Sequence, residues 1–94
     1  MARLEILDVE GASLGEVNPG ADMFYELGMM YSTGSSVPTD YVSAHKWFNL
    51  AALSGCTRGQ ECRAEIAIEM TAREIAEAQR QARAWLGSHQ RYAA

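Results

Sequence analysis

Apolar side chains return every three or four positions along most of this chain, the spacing that gathers them on one face of an α-helix. Phe24, Leu27, Gly28 and Tyr31 stand at i, i+3, i+4 and i+7 within "NPGADMFYELGMMYSTG". Asn18 can cap this helix, Pro19 suits its first position, and Gly34 ends it. Gly28 lies inside the apolar stripe, where a glycine costs about 1 kcal/mol against alanine. Its presence there predicts that another helix approaches closely. A second helix is expected over "TDYVSAHKWFNLAALSG", capped by Thr39 or Asp40 and closed by Gly55. Its stripe is Tyr41, Ala44, Phe48 and Ala51, widened by Trp47 and Ala52, and small residues opposite large ones let two helices interlock.

Two further helices follow. "RGQECRAEIAIEM" turns Ile66, Ala67 and Met70 inward, with Ala64 and Ile68 extending that side, while Glu61, Glu65 and Glu69 form an acidic row at i, i+4 and i+8. In "TAREIAEAQRQARAWLG", Thr71 and Glu74 have the spacing of a capping box. Ile75, Ala78, Ala82 and either Trp85 or Leu86 face inward, and Glu77 with Arg80 makes an exposed i, i+3 pair. The pattern contains no strand signal. It predicts an all-α fold of about four helices, arranged as two antiparallel hairpins stacked like a solenoid. Residues 1–17 fit neither period and are read as a flexible tail. Residues 89–94 are read as a frayed end.

Composition adjusts this picture in few places. Ninety-four residues suggest a single domain with a modest core. The net charge of −4 is unevenly spread. Residues 1–17 set Arg3 against Glu5, Asp8, Glu10 and Glu16, a net −3, and the remainder is nearly neutral. No basic stripe is present to neutralise phosphates, so nucleic acid is not the expected partner. No apolar run approaches the roughly 20 residues of a membrane span, and acids interrupt the N-terminal stretch where a signal peptide needs apolar continuity. The expectation is a cytoplasmic protein with reduced thiols.

The stretch from Ala21 to Gly55 resembles the Sel-one-like repeat, a relative of the tetratricopeptide repeat found in short bacterial proteins. The resemblance is carried, in order, by Ala21, Leu27, Gly28, Tyr31, Gly34, Val37, Asp40, Ala44, Trp47, Ala51, Ala52 and Gly55. It implies one full repeat over residues 18–55, in a tetratricopeptide-like α/α superhelix. Residues 56–88 lack the leucine-glycine and tyrosine of the repeat and look like a degenerate repeat or a capping hairpin. A solenoid usually needs about three repeats, so the chain either caps itself with its fourth helix or pairs with a second copy. The implied role is recognition of a partner protein or peptide, with no catalytic residues and no cofactor. Self-association into a homodimer is the alternative. In related solenoids the first helix of each hairpin lines the binding side, which here directs attention to Asp22, Tyr25, Glu26, Met29 and Thr33.

Other candidate chemistry is weighed against plainer roles. Cys56 and Cys62 flank the joint between the hairpins. Some secreted, cysteine-rich relatives pair cysteines between the two helices of a repeat, and penicillin binding or hydrolysis is attributed to some of them. The placement of Cys56 and Cys62 does not match that pattern, so no disulfide is expected. A zinc site would need two more ligands, and neither His45 nor His89 is placed to supply one. His45 and Lys46 fall away from Ala44 and Phe48 and are expected in solvent. Trp47 is read as core. The acidic row is read as a solvated helix face, with Arg58 able to pair with Glu61. Neither a nucleophile elbow nor a phosphate-cradling glycine loop occurs.

Overall fold

The computed structural model describes residues 20–93, with side chains through His89. The expected tail over 1–17 and the Asn18–Pro19 start signal lie outside the described residues. The described residues form four helices, α1 (Gly20–Thr33), α2 (Tyr41–Leu53), α3 (Thr57–Ala67) and α4 (Ala72–Ala93), and no strand occurs among them. The all-α, four-helix expectation holds.

Each boundary has a local cause. Gly34 stops α1 by adopting φ +77°, and the Gly34 and Ser35 N–H groups both donate to Met30 O. The Asp40 N–H donates to Tyr31 O at 2.9 Å, fastening the next helix to the one just ended. Asp40, not Thr39, caps α2: its carboxylate accepts from the Ser43 N–H at 3.2 Å and from Ser43 Oγ at 2.9 Å. At the far end, the Gly55 N–H donates to Ala52 O and the Cys56 N–H reaches back to Ala51 O. This pair of bonds, with Gly55 at φ +102°, is a Schellman ending. The capping box of α4 forms as its spacing predicts. The Glu74 N–H donates to Thr71 Oγ1 at 3.1 Å, and the Thr71 N–H donates to Glu74 Oε1 at 2.8 Å.

α2 is the centre of the packing. α1, α3 and α4 all lie against it, whereas α3 and α4 have little mutual contact. The second pair of helices therefore leans on α2 more than it closes into a tight hairpin of its own. Phe48, 1% exposed, is the focus. On one side α1 comes so close that a Cβ on Gly28 would stand 2.5 Å from the Phe48 ring. On the other, a Cβ on Gly59 of α3 would lie 2.8 Å from Ala51 Cβ and 3.2 Å from Phe48 O. Ala21, Ala44, Ala51, Ala78 and Ala82 fill the close helix contacts, and Leu50 is the other large side chain fully enclosed. Nearer the rim, Phe24, Trp47 and Trp85 tie α1, α2 and α4 together. Phe24 stacks near Trp47 at 5.9 Å and meets Trp85 edge-on at 5.2 Å between ring centroids.

Two expectations are corrected. His45 is not in solvent but 3% exposed, because α2 is covered on more than its one apolar stripe. Ile68 does not extend the buried side of α3: the helix ends at Ala67, and Ile68, in the turn beyond, is 81% exposed. α4 continues to Ala93, with Ser88 Oγ donating to Ala84 O at 3.0 Å and His89 Nδ1 bonding Trp85 O at 2.8 Å. Of the two candidates near that end, Trp85 turns inward and Leu86 stays largely outside.

Gly28→Ala is expected to destabilise the protein by about 1–3 kcal/mol, the range for forcing an extra carbon into a filled core. This outweighs the roughly 1 kcal/mol by which alanine favours a helix. Urea unfolding measures it. Combined with Phe48→Leu, the loss should be smaller than the sum of the two single changes. Strict additivity would show that ring and glycine do not oppose each other.

Candidate functional site

The recognition residues expected on α1 recur at helical spacing and share one side. Asp22 and Glu26 are exposed, and Tyr25 and Met29 are half-buried. The Tyr25 ring lies 5.9 Å from that of Phe48, tilted by 47°, so its inner edge belongs to the core contact. Its other neighbour was not legible in the sequence: the Arg58 guanidinium of α3 stands over the ring, 5.5 Å from the centroid. No spacing rule links residues 25 and 58; only the packing of α3 on α2 brings them together. Arg58 thus adds a cation to a surface whose other charges, Asp22 and Glu26, are acidic. Thr33 is exposed at the end of α1, where its hydroxyl donates to Met29 O at 2.7 Å and meets Ser35 Oγ at 3.0 Å.

The repeat-signature residues are spread through the framework. Gly28, Ala44 and Ala51 are buried at helix contacts, while Leu27, Tyr31, Trp47 and Ala52 are half-buried around them. Gly34, Asp40 and Gly55 shape the helix ends described above.

Both cysteines carry free, half-buried thiols. Cys56 is the N-cap of α3, and its Sγ accepts the Gly59 N–H at 3.3 Å. A thiol is a weak acceptor, so this cap is a poor substitute for serine or aspartate. Cys62 sits one and a half turns further along the same helix. Among the described residues, no group of three or more His, Cys, Asp and Glu side chains is arranged to hold a metal ion. No described helix is long and apolar enough to cross a membrane.

A polar corner lies where α2 meets α3. Arg63 Nη1 donates to Asn49 Oδ1. One turn before Asn49, His45 is enclosed, and its Nδ1 has no hydrogen-bond partner. Burial, and after it the nearby Arg63 charge, hold the imidazole below its ordinary pKa. The histidine is therefore kept neutral, because protonating it would place a second positive charge beside a guanidinium in a site closed to water. On the exposed side of α4, the opposite effect operates. Hydrogen bonds from Arg80, then from Gln81, hold the Glu77 carboxyl down to about 2.

Comparison of the chain with protein-family models, curated proteins and solved structures gives no match.

His45 makes stability depend on pH with a defined sign. Its folded pKa lies below the unfolded value near 6.5. Between the two, the unfolded chain binds more protons, so stability rises with pH. The contribution is intact above about pH 6.5 and declines as pH falls toward the folded value. The urea midpoint should drop between pH 7.5 and 5.5, and His45→Leu should remove much of that drop. An identical drop in the variant would assign the effect to other groups.

Proposed function

We propose that this chain is a small helical recognition module, a short member of the Sel-one-like repeat class that binds a partner protein or peptide on the face of α1. The observation that carries this reading is the combination at Tyr25. An aromatic ring is fixed from behind by Phe48, overlaid by Arg58, and flanked by the adaptable Met29 and the charged Asp22 and Glu26. Tyrosine, methionine and arginine are enriched in protein interfaces, and Met29 can reshape its contact without a change of backbone. The repeat assignment draws support from the work its signature residues perform: Gly28 admits Phe48, Asp40 caps α2, and Gly55 closes it. The mechanism is surface recognition on a pre-formed scaffold, with no bond made or broken.

A second reading is self-association. Ile68 at 81% exposure and Leu53 at 64% stand near the ends of α3 and α2, large apolar side chains with little cover from their own chain. In this reading a second copy supplies the neighbour that a short solenoid lacks.

The two readings separate in two measurements. Affinity capture from the native cell with the wild-type protein and with Tyr25→Ala combined with Met29→Ala should lose its specific partner in the variant, while circular dichroism shows the helices retained. Capture unaffected by the double change would reject this siting. Sedimentation over a hundredfold range of concentration should show a monomer if α1 serves a foreign partner, and a monomer–dimer equilibrium weakened by Ile68→Asp if the second reading holds.

A further inference from the structure

An open groove of about 380 Å³ runs between α2 and α4, away from the Tyr25 surface. Lys46 of α2 borders it, and Arg80, Gln81, Trp85, Ser88 and His89 of α4 line the rest. We propose that this groove receives an acidic segment of a partner polypeptide, one glutamate or aspartate pairing with Lys46 while an adjacent apolar side chain lies on Trp85. The proposal rests on the reading of the chain as a recognition module and gives that module a second surface, of opposite charge to the first.

Four observations lead there. The first is that the Lys46 ammonium lies 4.3 Å from the centroid of the Trp47 ring and, among the described residues, has no carboxylate partner. The second is that its neighbours are already positioned. Glu77 accepts from Arg80 Nε at 2.9 Å and from Gln81 Nε2 at 2.8 Å, which fixes both side chains on the groove wall. Since Glu77 offsets Arg80, Lys46 is the charge left for an incoming carboxylate. Thirdly, the floor is aromatic. Trp85 is stacked with His89 at 3.9 Å and 9°, and it also meets the Phe24 and Trp47 rings.

The last observation is the local balance of charge. Lys46 and Arg80 border the groove, and only Arg80 is paired, with Glu77, so one positive charge is left over on a chain whose total is −4. That excess favours an acidic partner. A phosphate backbone would call for a row of uncommitted cations, which one lysine beside an arginine–glutamate pair does not provide. A carboxylate next to an apolar side chain matches what the groove offers.

Trp47 and Trp85 are the two tryptophans of the chain, and both lie at this place, so intrinsic fluorescence reads the site directly. The full chain is titrated with a pentapeptide alternating leucine and glutamate, and separately with its glutamine counterpart. A saturable change is expected with the acidic peptide. Binding should weaken about tenfold for the glutamine peptide and about tenfold for Lys46→Met, and recover in Lys46→Arg, as for a rim ion pair that selects a partner. Circular dichroism of Lys46→Met confirms that its helices remain.

Equal affinity for the two peptides, or an undiminished response in Lys46→Met, would overturn the proposal. Inorganic phosphate reproducing the signal at millimolar concentration would do so as well, reducing the groove to a simple anion site. A fluorescence change that follows protein concentration without any peptide would assign the groove to a second copy instead. Because the Tyr25 surface is tested by capture, a silent groove leaves that reading standing.

Discussion

The fold depends on how closely two helices can approach the Phe48 ring and its turn of α2. Phe48 is the largest side chain wholly enclosed, and a glycine admits each neighbour: Gly28 on α1 faces the ring itself, and Gly59 on α3 faces the backbone and Ala51 beside it. With a side chain at either glycine, the corresponding helix would have to move outward and the alanines around it would lose their contacts. Interiors are packed densely enough that such a shift is not absorbed locally. The positions of Tyr25 and Arg58 follow from the same constraint. α1 brings Tyr25 to the outer side of Phe48, and α3, seated through Gly59, carries Arg58 over that ring. The proposed recognition surface is thus a consequence of the core contact and moves with it.

The joint between α2 and α3 shows the same economy of parts. Cys56 closes one helix with its N–H, which bonds Ala51 O, and opens the next with its sulfur, which accepts from Gly59. A single residue at both termini leaves almost no slack in the connection, so the angle between α2 and α3 is set within a few residues of the place where Gly59 meets Ala51. The thiol is free, and no group of three or more His, Cys, Asp and Glu side chains that could hold a metal ion occurs among the described residues. The small side chain of Cys56 fits the half-buried joint, although its sulfur accepts more weakly than the oxygen of serine or aspartate.

Much of this was legible in the sequence because it is local. The glycine within the α1 stripe, the cap at Asp40, the Thr71–Glu74 box and the Glu77–Arg80 pair each depend on residues three or four positions apart, and each forms. What was not legible depends on how many neighbours a helix has. A one-sided stripe on α2 placed His45 in solvent, and that inference is sound only for a helix covered on one face. α2 is covered by three helices, so His45 and Leu50 are enclosed along with Phe48. For the candidate site, the α1 residues were singled out by the repeat resemblance and by their place off the apolar stripe, whereas Arg58 belongs to a different helix and is placed by packing alone. Ile68 failed for a simpler reason: the helix carrying its stripe ends one residue before it.

The balance between this core and its rim bears on function. Phe48 and Leu50 are the only large side chains fully enclosed among the described residues, and most of the remaining core is alanine. Alanine permits close helix contact but removes little apolar area from water, so much of the hydrophobic stabilisation must come from larger residues that are only partly covered. Those residues are Phe24, Tyr25, Trp47 and Trp85, half-buried at the two surfaces where recognition is proposed. A ligand covering either surface would complete burial that the chain alone leaves unfinished. Binding the folded state in preference to the unfolded one then raises stability by mass action. On the proposed reading, recognition and folding would be coupled through the same aromatic rings, without any need for the helices to rearrange.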